Sequence, residues 1–263
     1  MHSICQDLLA EYQSLAALCE ELTADQWQQR TQFHNWTPWD EIAHLCYFDE
    51  TGLQAATQAD AFNQAALPLA KRLYAGEQIS AIARERFAHL DGTALLSHWR
   101  ELHQALVTAL STLDVKDRLP WYGPPMSARS FASARLMETW AHGQDIWDLM
   151  KRPRPASSRL KHIAHLGVTT FKWTFVNRQR PVPEVLPHVV LTAPDGNTWT
   201  WNPESQTHVV QGSAQDFALL VTQRRHLNDT ALRYQGEGVQ DWLLIAQCFA
   251  GPPADGPMAG VRV

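Results

Sequence analysis

Ala134-Arg135-Leu136-Met137-Glu138-Thr139-Trp140-Ala141-His142-Gly143-Gln144-Asp145 sets a carboxylate and an imidazole four residues apart within a run that has the composition of a helix. At about 3.6 residues per turn, Glu138 and His142 stand one above the other on one face, where two such groups can grip a single metal ion. Stepped round at about 100° per residue, both fall within about 20° of Phe131 and Leu149, with Ala134 and Asp145 close by. The opposite face, with Leu136, Trp140 and Trp147, is apolar as well. A helix that is apolar on both sides belongs at the centre of a bundle. A carboxylate in that setting is costly unless it is paired or bound to metal. Pairing of Glu138 with His142, or with Arg135, in a purely architectural network would meet the same requirement.

The Glu-x-x-x-His spacing is not decisive alone, since it recurs at Glu85/His89 and at Glu184/His188. Pro187 lies inside the last pair and blocks a continuous helix there. Around Glu85, the residues Ile79, Ala83, Phe87 and Leu90 form one apolar stripe, and both Glu85 and His89 fall to one side of it, on a solvated face.

A metal site needs another ligand, and Asn35-Trp36-Thr37-Pro38-Trp39-Asp40-Glu41-Ile42-Ala43-His44 offers one. Thr37 reads as an N-cap and Pro38 as the first helical residue, while Asp40 and Glu41 are acidic first-turn residues that favour the helix dipole. His44 follows about two turns inside this helix, on a face shared with Tyr47, Phe48 and Thr51. The main apolar stripe runs through Trp39, Ile42, Cys46 and Leu53. A lone histidine so placed is ordinarily structural, and only the Glu138/His142 pair raises it to a ligand candidate.

The opening helix, the Trp-Thr-x-x-Asp-x-x-x-His segment ending at His44, and the Arg-Leu-Met-Glu-Thr-Trp-Ala-His-Gly-Gln-Asp segment together resemble the DinB-like metal-binding superfamily. They are most similar to its branch related to mycothiol-dependent maleylpyruvate isomerases. The resemblance extends over Trp121-Tyr122-Gly123-Pro124-Pro125-Met126 and Leu219-Leu220-Val221-Thr222-Gln223-Arg224-Arg225-His226. It implies metal ligation by His44, Glu138 and His142, and an arginine of the C-terminal module, Arg224 or Arg225, that binds an acidic substrate. Both arginines also fit the ordinary role of cations at a helix end. Asp145 is a candidate to orient a ligating histidine, because metal-bound imidazoles usually have such a partner; an ion pair inside the bundle is its other reading.

Composition sets bounds without choosing a chemistry. The 263 residues, 45% of them hydrophobic, suffice for one large domain or two small ones. A net charge of −5 provides no broad basic surface for nucleic acid. No apolar run approaches the roughly 20 residues that span a bilayer, and the first residues do not resemble a secretory signal, so a cytoplasmic protein with no membrane association is expected. Cys5, Cys19, Cys46 and Cys248 are isolated, which indicates reduced core residues rather than a disulfide scaffold or zinc ribbon.

Along the chain, Ile4, Leu8, Tyr12, Leu15, Cys19 and Leu22 mark an amphipathic helix, followed by a Thr23-x-x-Gln26 capping signal. Further helices are expected near 38–57, 78–90, 93–113 and 128–150, with Pro120 to Pro125 as a loop. These predict an all-α, DinB-like four-helix bundle over residues 1–155, in which facing helices converge on one internal site. A helix over 157–180 belongs either to the bundle or to the next module. Beyond Pro183 the pattern changes to short strands at His188–Thr192, Thr198–Trp201 and His208–Val210, with a turn at Pro194-Asp195-Gly196-Asn197. A helix capped by Ser213 and ending near Arg225, a strand at Leu232–Gln235 and a last helix at Val239–Phe249 complete a small α+β domain over 183–252. That order resembles the sterol-carrier-protein-like domain found with maleylpyruvate isomerase bundles.

Two imidazoles and a carboxylate suit zinc best, and nickel or ferrous iron also fit. Three protein ligands leave a position open, as in a catalytic site. The resemblance implies that a low-molecular-weight thiol, mycothiol or an equivalent, uses that position as cosubstrate. An isomerase or S-transferase acting on a small electrophile is therefore the first expectation. Hydrolysis or iron-dependent oxidation at the same ligands, and a non-catalytic protein holding metal or an apolar ligand, are the alternatives. Bundle helices also leave room for a homodimer.

Overall fold

The periodicity at Ile4, Leu8, Tyr12, Leu15 and Cys19 becomes α1 (His2–Glu20) in the computed structural model, which describes residues 1–262. All five side chains are buried. Thr23 and Gln26 then cap each other's backbone at the start of α2 (Ala24–Gln28), which satisfies two donors that a helix end otherwise leaves open. Thr37 and Asp40 repeat the device at α3 (Pro38–Thr57), with Pro38 at the first helical position. Asp91 accepts from the backbone N–H of Ala94 to begin α6 (Gly92–Ser111), and Ser127 accepts from that of Ser130 to begin α7 (Ala128–Leu149). Between them, β1 (Arg118–Leu119) and β2 (Met126–Ser127) pair antiparallel and close the proline-rich loop that precedes α7.

Two more helices lie between α3 and α6. α5 (Ile79–Phe87) was expected, whereas α4 (Ala59–Tyr74) was not. Pro68 sits inside α4 and only Phe62 and Leu69 are buried along it, so its sequence offers a helix breaker and a thin apolar stripe.

The four long helices pack in a cycle: α1 against α6 and α7, and α3 against α6 and α7. Each contributes one side chain to a polar network at the centre. Asp49 of α3, with no exposure to solvent, accepts from Tyr12 Oη of α1 at 2.6 Å, from Trp99 Nε1 of α6 at 2.8 Å and from Arg135 Nε of α7 at 2.9 Å. A buried carboxylate is tolerable only when its lone pairs are satisfied in this way. Burial works against the charge on Arg135, yet Asp49 beside it holds the guanidinium more firmly protonated than usual. The pairing of Arg135 open from sequence is thus made with Asp49, and with the carbonyl of Leu45.

Residues Met1–Pro153 form one compact unit and those from Arg154 onward a second. The helix expected over 157–180 is two, α8 (Leu160–Thr169) and α9 (Phe171–Asn177), both in the second unit. The hydroxyls of Thr169 and Thr170 donate to the carbonyls of His165, Leu166 and Gly167, competing with the backbone ladder at the break. β3 (His188–Thr192) and β4 (Thr198–Trp201) make a hairpin whose turn places Gly196 at φ 83°. β5 (Val209–Ser213) runs parallel to β3, and β6 (Arg233–Gln235) antiparallel to β5, giving the order β4-β3-β5-β6.

α10 (Ala214–Val221), capped by Ser213, packs on α8 at Gly167. It ends four residues before Arg225, and the chain turns away through Gln223 at φ 58°. α11 (Val239–Ile245) likewise stops short of Phe249. Among the described residues, all four cysteines are buried and outside any disulfide, and no helix is long and apolar enough to cross a membrane.

Candidate metal centre

α3 carries His44 in its second turn, and α7 carries Glu138 and His142 one turn apart on the face turned towards it. The Nε2 atom of His142 lies 3.3 Å from Glu138 Oε2, and that of His44 lies 3.8 Å from the same oxygen. The two imidazole centroids are 4.4 Å apart. One ligand atom from each of the three residues fits within 4.8 Å of the others. Donors held about 2.1 Å from a tetrahedral zinc ion sit ~3.4 Å from one another, so the three side chains fit a single ion with minor adjustment. Glu138 is 23% exposed, against 12% for His44 and 5% for His142, so the cluster meets solvent at the carboxylate edge.

Burial alone would raise the pKa of Glu138. Hydrogen bonding and charge from His142 and His44 outweigh it and hold the carboxyl well below the usual carboxylate range. The group is therefore an anion ready to ligate.

Glu41, His142 and Asp145 form an overlapping buried group within the same 4.8 Å limit. Here His142 Nδ1 is only 2.6 Å from Glu41 Oε2. That is hydrogen-bond length and shorter than the spacing of two donors around one ion, so the metal reading belongs to the first group. Thr31 Oγ1 donates to the other oxygen of Glu41 at 3.3 Å. By sequence alone Glu41 is a first-turn acid serving the helix dipole, and Asp145 is the candidate partner of a ligating histidine. Asp145 is 2% exposed and belongs to this second group, and the carboxylate at hydrogen-bond distance from His142 Nδ1 is that of Glu41. The signal for Glu41 was its place three residues before His44, on the same side of α3.

Aromatic rings cover the imidazoles. Trp36 stacks on His142 with its centroid 5.7 Å away and planes 10° apart, and it also contacts His44 at 5.3 Å. Phe33 meets His142 edge-on at 5.5 Å, and Phe48 meets His44 at 4.9 Å. Phe33 and Trp36 come from the turn before α3, closed by backbone bonds between Thr31 and Trp36 and between Trp36 and Phe33. Within it His34 and Asn35 adopt φ 48° and 57°, a left-handed pair that side chains other than glycine seldom accept.

The rival spacings do not gather ligands. Glu85 is exposed and pairs with Arg72, His89 is exposed, and Glu184 lies in the loop that leads into β3. Arg224 and Arg225 belong to the second unit. Arg224, 3% exposed, donates through Nη1 to the carbonyl of Thr222, while half-buried Arg225 donates to that of Arg224. Arg225 also lines a cavity of about 240 Å³ with His226, Leu243 and Asp255.

Residues 8–147 match the family described as mycothiol maleylpyruvate isomerase N-terminal domain. A protein described as uncharacterized in two strains of Mycobacterium tuberculosis, H37Rv and CDC 1551, is 42% identical over 250 residues, covering 95% of this chain and 96% of its own length. The crystal structure of a mycothiol-dependent maleylpyruvate isomerase superposes with a TM-score of 0.58 at 13% identity, over 89% of this chain and 92% of that one. A histidine-to-alanine mutant of such an isomerase superposes with a TM-score of 0.55 at 13% identity, over 83% and 87%. At that identity the likeness is one of fold.

Proposed function

The chain belongs to the mycothiol maleylpyruvate isomerase N-terminal domain family, and from that premise we propose that it is a metal-dependent enzyme using a low-molecular-weight thiol on a small electrophilic substrate. His44, Glu138 and His142 are the ligands in this reading, with zinc as the ion that two imidazoles and one carboxylate suit best. The observation that carries it is the convergence of those three side chains from α3 and α7, with Glu138 held as an anion. We further read the cycle of α1, α3, α6 and α7 as a DinB-like four-helix bundle, and the second unit as a sterol-carrier-protein-like domain.

A bound divalent metal supplies the means to lower a thiol's pKa and so favour the reactive thiolate. The three ligands leave room for a small molecule at the 23% exposed edge of Glu138. Trp36, Phe33 and Phe48 keep water from the other sides of the imidazoles, which strengthens every charge interaction there. In the isomerisation proposed, the thiol sulfur and a proton add across an activated cis double bond. Rotation follows about the new single bond, and loss of the same thiol and a proton restores the double bond in the trans form. The thiol is regenerated, so no oxidant or reductant is consumed. For an acidic group on the substrate Arg224 and Arg225 are the candidates, because guanidinium binds carboxylate as a fork.

The test is conversion of small cis-configured unsaturated acids, maleylpyruvate among them, by zinc-loaded protein with mycothiol, followed by proton NMR. The expected result is thiol-dependent appearance of the trans isomer that His142→Ala abolishes. Accumulation of a stable thiol adduct would instead assign an S-transferase. No turnover of any substrate with any low-molecular-weight thiol would overturn the reading.

A further inference from the structure

We propose that Glu41 is a positioning residue for His142, fixing both the tautomer and the orientation of that imidazole; the inference rests on the metal-site reading above. His142 presents two nitrogens to two carboxylates, Nδ1 to Glu41 Oε2 at 2.6 Å and Nε2 to Glu138 Oε2 at 3.3 Å. Only one nitrogen of a neutral imidazole carries a proton, and ligation needs the other. With Glu41 as acceptor, the proton resides on Nδ1 and donates to Oε2. An ion that displaces the Nε2 proton facing Glu138 would then find the lone pair of that nitrogen turned towards Glu138 and His44.

Glu41 is held for this purpose. It has no exposure to solvent, its backbone N–H donates to the carbonyl of Thr37 in the first turn of α3, and Thr31 Oγ1 donates to its second oxygen. The Thr31 backbone N–H in turn donates to the carbonyl of Trp36 at 2.7 Å. The same turn therefore grips Glu41 through Thr31 and the His142 ring through Trp36, stacked within 10° of parallel. The hydrogen bond fixes rotation of the ring in its plane, and the stack fixes its tilt. Because Glu41 and His44 sit three residues apart on α3, one helix supplies a ligand and the partner of a ligand on α7. A shift of α3 along its axis would disturb both together. Asp145 lies within the same group, so a second buried carboxylate stands near the imidazole.

The experiment is chelator competition for zinc with the wild type, Glu41→Gln, Glu41→Leu and His142→Ala, together with the visible absorption of the cobalt-substituted proteins. Loss of such a partner ordinarily weakens metal binding by about 10- to 100-fold, which is the expectation for Glu41→Leu. Glu41→Gln keeps an acceptor but not its charge, so it should fall between the two and shift the cobalt spectrum. If Glu41→Leu does not fold, Glu41→Gln carries the test. Wild-type affinity and an unchanged cobalt spectrum in the folded Glu41 variants, alongside loss of zinc in His142→Ala, would overturn the role of Glu41 alone. Wild-type affinity in His142→Ala would overturn the metal site and this inference together.

Discussion

The guanidinium of Arg135 donates to Asp49 at 2.9 Å in the middle of the first unit, and the pair joins α7, one turn ahead of Glu138, to α3, just beyond His44. Removing one member leaves the other charged and buried. Arg135→Met should therefore cost about 3–5 kcal/mol in chemical unfolding. The double variant Asp49→Asn with Arg135→Met should lose less than the single one, since no unpaired charge remains; an equal or larger loss would show that the pair is not the source.

The ligand assignment predicts that His44→Ala and His142→Ala each lose stoichiometric metal, measured by elemental analysis of protein purified with zinc. Acid should also release the metal, because protons compete for the ligands. Glu138 has a lowered pKa, so its contribution is present above the usual carboxylate range and fades only as pH falls well below it. Release centred above that range, where imidazoles protonate, is the expected outcome. Metal retained until Glu138 itself protonates would contradict it.

His103 gives the first unit a separate acid sensitivity. It is buried between Tyr12 and Trp99, and burial pushes its pKa from 6.5 down to about 4, against the opposing pull of Asp49. Between those values the unfolded chain takes up a proton that the folded one refuses, so stability falls as pH drops from 6.5 to 4. The full effect is about 3 kcal/mol. His103→Phe should flatten this part of the urea-unfolding profile by that amount, and a profile of unchanged slope would refute the assignment.

Gly167 reports on the second unit. A Cβ there would come within 2.8 Å of Val221 and 2.9 Å of Phe217, where α8 meets α10. Gly167→Ala gains about 1 kcal/mol of helix propensity but incurs about 1–3 kcal/mol of overpacking, so the melting temperature should fall rather than rise.

Local signals made much of this molecule legible. Thr37, Pro38 and Asp40 announced α3, and the phase of Glu138 and His142 against Phe131 and Leu149 put them on an inward face of α7. The turn at Asp195-Gly196 marked the hairpin of the second unit. Part of what escaped depends on partners distant in the chain. Glu41 meets His142 across 101 residues, and its place three residues before His44 separates it from an ordinary first-turn acid only once His44 is read as a ligand. α4 escaped although its apolar residues recur with a helical period; Pro68 inside it is a helix breaker, and only Phe62 and Leu69 are buried along it. The break between α8 and α9 lies in two threonine hydroxyls that sequence periodicity does not weigh.

X-ray absorption at the zinc edge, recorded on the loaded protein before and after addition of mycothiol, addresses the central claim most directly. Two imidazole nitrogens and a carboxylate oxygen with an open position predict a shell of nitrogen and oxygen only, joined on thiol addition by one sulfur at about 2.3 Å. A shell that stays free of sulfur at saturating thiol would contradict the account.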